Sequence, residues 1–94
     1  METPRFKYIE NEKYLFEVEF CEGTPFLHLQ VYKWSPSVLK ELYSAVKSLK
    51  EILRRLGCTK MRTITPNPKF AKLFGGECVD YFMNAEVIEW DLKH

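Results

Sequence analysis

The apolar positions of this chain change their period once, and that change divides it into two kinds of element. Phe16, Val18 and Phe20 alternate with Glu17 and Glu19 over Lys13 to Phe20, the period of two expected of a strand with one buried face. Phe6 and Tyr8 share one side of a weaker strand over Arg5 to Ile9, and Asn11 separates the two. After the turn chemistry of Cys21-Glu22-Gly23-Thr24-Pro25 comes Phe26 to Trp34, with Leu27, Leu29 and Val31 on one face. Its other face carries Phe26, His28, Gln30, Tyr32 and Trp34, which suggests a central strand covered on both sides.

The period then lengthens. Leu39, Leu42, Val46, Leu49, Leu53 and Leu56 recur at spacings of three and four, the stripe of an amphipathic helix over about Pro36 to Leu56. Ser35 is the expected N-cap, with Pro36 at the first helical position. Arg54 and Arg55 complement the helix dipole in the last turn, and Gly57 is the expected stop. Cys58 to Thr65 returns to strand composition, so the helix reads as a crossover between two parallel strands. A short helix over Pro68 to Phe74 ends at Gly75-Gly76, and the runs Cys78 to Met83 and Glu86 to Leu92 form a closing hairpin around Asn84-Ala85. The expected fold class is α+β, with an α/β-like crossover: a single domain over residues 1–94, ordered β-β-β-α-β-α-β-β around a mixed sheet.

Composition narrows the function classes. With 94 residues, 46% hydrophobic and 15% aromatic, the chain has room and material for one ordered core. Fourteen Lys and Arg nearly cancel thirteen Asp and Glu, so the net charge of +1 gives no general attraction to polyanions. Cys21, Cys58 and Cys78 are odd in number and form no Cys-x-x-Cys pair; with only His28 and His94 beside them, reduced thiols are expected and no metal site. No secretory signal is visible after Met-Glu-Thr-Pro-Arg and no apolar run reaches membrane-spanning length, so a cytoplasmic protein with no membrane contact is expected.

The stretch Leu27 to Leu92 resembles the C-terminal half of GNAT acyltransferases: a strand, a long helix, a strand ending near Asn, a short helix and a Gly-marked return to strand. The best local match is Asn67-Pro-Lys-Phe-Ala71-Lys-Leu-Phe74-Gly75. The resemblance implies acetyl-coenzyme A as cofactor, with Val31, Tyr32 and Lys33 offering backbone to its pantetheine arm, Ser35 and Ser37 meeting the pyrophosphate, and Asn67 touching it. Departures from the pattern point elsewhere. The loop Lys33-Trp34-Ser35-Pro36-Ser37, where the family places glycines, has none, and Pro36 removes one N–H donor. The family's proton-donating Tyr is replaced by Phe74, with Tyr81 the nearest substitute. Some thirty-five residues stand where the family builds two helices. The layout is similar to reduced GNAT-like proteins of bacteriophages, including internal virion proteins of T7-like phages. It implies a non-catalytic protein-binding or assembly module, a virion component or a host-directed inhibitor, located in the host cytoplasm or the virion. No cofactor is then expected, and a protein partner or self-association is. The competing reading is a minimal N-acetyltransferase.

Other groups carry both a functional and a structural reading. Glu17 and Glu19 face one side of their strand; with Asp80 or Glu89 they suit a metal or acid–base site, or simply a solvated face. His28 suits a general base or a hydrogen-bonded packing residue. Trp90 shares a face with Ile88 and Leu92, as a core residue would, and Trp34 sits where it can fill the cofactor's place. Lys40, Lys47, Lys50 and Arg54 line one helix face, extended by Lys60 and Arg62. That face suits phosphate groups and a nucleic-acid-associated role, or is a mixed surface supported by pairs such as Lys47–Glu51.

Overall fold

A computed structural model describes residues 4–93, so the Met-Glu-Thr start and His94 lie outside the described residues. Along the chain follow β1 (Arg5–Glu10), β2 (Tyr14–Cys21), β3 (Thr24–Val31), α1 (Pro36–Arg55), β4 (Lys60–Thr65), α2 (Lys69–Leu73), β5 (Glu77–Phe82) and β6 (Ala85–Asp91). The strands form one mixed sheet in the order β1-β2-β3-β4-β6-β5. β3 and β4 run parallel and every other neighbour is antiparallel. This is a single α+β domain, with two helices among the described residues.

Local chemistry sets the element ends. The Asn11 side chain accepts the amides of Lys13 and Tyr14 and so closes the β1–β2 turn. Glu22 and Gly23 connect β2 to β3 with φ of 52° and 82°, the pair of left-handed residues that a tight hairpin needs. Ser35 caps α1 by accepting the Val38 amide at 3.2 Å, and Pro36 follows it. At the other end Gly57 donates to the Arg54 carbonyl and Cys58 to that of Leu53, the paired bonds of a Schellman motif with glycine at φ 90°.

One core lies between the helices and one face of the sheet. α1 contributes Val38, Leu42, Ala45, Val46, Leu49 and Leu53. Opposite them are Phe16 and Val18 of β2, Leu27 of β3, Met61 of β4, and Ile88 and Trp90 of β6. Each such side chain removed from water contributes about 1.5–3 kcal/mol. The expected stripe needs one correction: Leu56 is the C-cap residue and is 68% exposed, because the helix has ended before its side chain can turn inward. Trp90 and Ile88 take the expected core positions, and the Trp90 indole Nε1 donates to the Phe74 carbonyl at 3.0 Å, fixing the end of α2 over β6.

A second correction concerns β3. Its Phe26–His28–Gln30 face was expected to be covered, yet α1 and α2 both pack on the opposite side, where Tyr43 and Phe74 stand edge to face at 5.5 Å. Among the described residues no element covers the other face, and Gln30 is exposed there. Antiparallel strands occupy all but one of the strand pairings, and such sheets tolerate one solvated face.

Candidate functional site

The backbone of β3 determines the site. The Tyr32 amide donates to the Lys13 carbonyl at 2.8 Å, which extends the antiparallel ladder one step past Tyr14–Val31. Ladder alternation then directs the peptide groups of Phe26, His28, Gln30 and Tyr32 towards β2 and those of Leu27, Leu29 and Val31 towards β4. Backbone pairing with β4 is registered at Phe26–Arg62 alone. One step further on, the Thr63 hydroxyl donates to the Leu27 carbonyl at 2.9 Å, a side chain standing in for a strand amide. From there to the ends of both strands no pairing is registered.

A cavity of about 510 Å³ fills this unpaired stretch. It is lined from both faces of the sheet, by Glu17, His28 and Gln30 on the uncovered side and by Phe16, Val46 and Trp90 on the helical side. Leu29, Val31 and Thr63 form its walls, and Trp34, Asn67 and Phe70 stand at the strand ends. The volume lies within the range of small-molecule and peptide-side-chain pockets. The rim on the uncovered face is charged: Arg5 reaches Glu17 at 3.0 Å and Glu19 at 3.9 Å, and His28 Nε2 lies 2.8 Å from the Glu19 carboxylate. Glu17 and Glu19 do share a side, as expected, but arginine and histidine accompany them. Glu89 belongs to a different cluster, 3.4 Å from Arg62 and 3.9 Å from Lys60. Among the described residues no group of three His, Cys, Asp or Glu side chains is placed to hold a metal.

The residues proposed for a cofactor are spread around this cavity. Val31 and Asn67 line it. Asn67 is held by the Thr65 hydroxyl, which takes the Asn67 amide at 3.1 Å. Tyr32 and Lys33 are exposed beyond the strand, and the Tyr32 amide is already committed to Lys13. At the start of α1 the donors for a pyrophosphate are depleted. Pro36 has no N–H, the Val38 amide bonds the Ser35 hydroxyl at 3.2 Å, and the Leu39 amide bonds the Ser35 carbonyl at 3.0 Å. The Ser37 hydroxyl lies 3.1 Å from that of Ser35. Phe74 is buried and faces Phe70 and Tyr43. Tyr81 lies on the outermost strand, separated from the gap by β6 and β4, and its neighbour Cys78 pushes its hydroxyl above the ordinary tyrosine value.

The basic face also changes. Arg54 donates through Nε to the Leu92 carbonyl at 2.8 Å and through a second nitrogen to Glu51 at 2.6 Å, so it ties α1 to β6. Glu51 therefore pairs with Arg54 and not with Lys47. Lys60 and Arg62 alternate with buried Met61 and so lie on the uncovered face, away from α1. Lys40, Lys47 and Lys50 remain, and none of them makes an ion pair among the described residues. Burial, with Arg54 close by, pushes the Lys50 ammonium below its ordinary value.

The sequence reading missed Leu29, Thr63 and Phe70 as site residues. A threonine inside an apolar strand is a weak sign of such a role; for the other two there is none, because a gap between strands depends on pairing and not on side-chain pattern. All three cysteines are free, with Cys21 exposed. No described helix is long and apolar enough to cross a membrane. No family model, curated protein or solved structure matches the chain.

Proposed function

We propose that the protein is a non-catalytic protein-binding module on a reduced GNAT-like fold, and that the gap between β3 and β4 receives an extended apolar segment of its partner. The observation carrying this reading is the gap itself. Leu29 and Val31 turn their peptide groups into it beyond the last registered pair, and an extended segment satisfies such groups while its side chains enter the apolar cavity. The donor-poor start of α1 and the buried Phe74 count against a coenzyme A cradle with a proton donor. In the phage setting that the resemblance implies, the partner is a virion component or a host protein.

A second reading, a minimal N-acetyltransferase using acetyl-coenzyme A, draws on the His28–Glu19 pair at the rim of the same cavity. Calorimetry separates the two. The first reading expects no heat with acetyl-coenzyme A, and micromolar binding overturns it. Peptide selection should yield extended apolar sequences that slow amide exchange at Leu29 and Val31 and that no longer bind the Leu29→Arg protein.

A further inference from the structure

The two helices carry charge that the rest of the chain opposes. α1 and α2 together hold seven lysines and arginines against two glutamates, a net of +5, while the remaining residues hold seven against eleven, a net of −4. The overall charge near zero thus conceals a basic helical layer on an acidic sheet layer, and a polyanion meets an attractive field from the helical side only.

An aromatic row crosses the same layer. Trp34 lies 5.4 Å from Phe70, Phe70 lies 4.2 Å from Phe74, and Phe74 lies 5.5 Å from Tyr43. Both ends of the row are open to solvent, Trp34 at 54% and Tyr43 at 57% exposure, although burial of large aromatic rings would otherwise be favourable. Beside Tyr43, a pocket of about 200 Å³ between the helices is lined by Lys47, Lys50, Val46 and Phe74.

The sequence also allows a mixed face on which these lysines pair with acids of the same helix. Glu51 instead turns to Arg54, and Lys47 and Lys50 make no ion pair among the described residues. Lys50 is partly withdrawn from water, where desolvation disfavours its charge until an anion approaches. An acidic peptide would use the lysines but has no need of the two open rings, Trp34 and Tyr43, that end the row beyond buried Phe74 and half-buried Phe70. Unpaired bases need both, since stacking requires open ring faces and the phosphates require cations along the way.

We propose that the helical face binds single-stranded nucleic acid, with Trp34 and Tyr43 stacking bases and Lys40, Lys47, Lys50 and Lys69 meeting the phosphates. This goes beyond the gap between β3 and β4, with which it shares Trp34 at the cavity's edge, and Tyr43 and the lysines test it apart from that gap. Binding of fluorescently labelled oligo(dT) and oligo(U) tests it by anisotropy, with quenching of Trp34 emission as the second readout.

Four phosphate contacts predict that affinity falls roughly fiftyfold between about 50 mM and 200 mM salt, from the dependence expected of single strands. Tyr43→Ala and Lys47→Glu/Lys50→Glu should each weaken binding about tenfold or more, while Tyr43→Phe keeps it. These residues are exposed or at the surface, and circular dichroism checks that each variant is folded. Full affinity in Tyr43→Ala, a salt-independent constant, the absence of binding at low salt, or equal competition by poly-glutamate would each overturn the proposal.

Discussion

Gly76 is where a single methyl group should tell most about how the core is built. A Cβ placed there would overlap the Ile88 Cγ2 atom, meet the Ala71 carbonyl oxygen at 3.0 Å and touch the Trp90 ring at 3.1 Å. None of the three can yield cheaply. Ile88 is fully buried, the Ala71 carbonyl is backbone that already accepts the Gly76 amide at 3.0 Å, and Trp90 is anchored by its bond to Phe74. Overpacking of one methyl costs about 1–3 kcal/mol, and with backbone on one side the upper end applies, so Gly76→Ala should lose about 3 kcal/mol. For a domain of this size that corresponds to a drop of roughly 12–24 °C in Tm. Urea unfolding and calorimetry measure it directly. In an Ile88→Ala background the nearest obstacle is gone, so the added cost of Gly76→Ala should shrink by more than about 1 kcal/mol. A loss below about 1 kcal/mol in the parent, or an equal loss in both backgrounds, would refute the packing of α2 and β5 against β6 described above.

Three further outcomes are expected. Leu42→Ala, at a position with no solvent exposure, should cost about 2–5 kcal/mol in urea unfolding without altering any surface contact. Arg54→Gln should cost about 1 kcal/mol, because the Leu92 carbonyl loses a charged donor from a half-exposed side chain, and amide exchange near Leu92 should quicken. Glu86 titrates below the ordinary carboxyl value because the Lys72 ammonium, 3.0 Å away, favours its charged form, with Cys78 adding to the shift. Its contribution to stability is therefore present above the unfolded carboxyl value and lost as pH falls through the native one; Lys72, raised by the same pair, loses its share only as pH rises past its own native value. Carbon-detected NMR should show the Glu86 midpoint move upward in Lys72→Gln, and no movement would exclude the pairing.

The period-two and period-three-to-four patterns were enough to place β2, β3 and α1, since each buries one face against a single core. Ser35, Pro36 and Gly57 act locally, so the ends of α1 were legible too. Leu56 was misplaced for a physical reason: the apolar stripe runs one residue past Arg55, the last helical residue, onto the cap just before Gly57 bends the backbone away. The error over the second face of β3 is of another kind. Phe26 and His28 are compatible with a buried face or with a half-open charged one, and only the positions of α1 and α2 decide between them. Arg54, Lys60 and Arg62 were grouped by charge alone, and tertiary partners, the Leu92 carbonyl and Glu89, separate them.

The gap could not be read from side chains because it arises from how the strands share their partners. β2 holds β3 through a continuous ladder from Tyr14–Val31 to Cys21–Thr24, and β6 holds β4 from Lys60–Asp91 to Thr65–Glu86. Each parallel strand is thereby fixed within its own antiparallel unit, β1-β2-β3 on one side and β4-β6-β5 on the other. Sheet twist rotates the two units relative to each other, and along the seam only Phe26–Arg62 and the Thr63 hydroxyl hold them together. Closing the seam would win a few more hydrogen bonds of about 1 kcal/mol each, but only by distorting two complete ladders. The helices hold the open arrangement in place, since α1 spans the seam and packs on Phe16 and Leu27 from one unit and on Met61 and Ile88 from the other. An opening maintained this way is part of the folded state and needs no ligand to form, which is the property a receiving site requires.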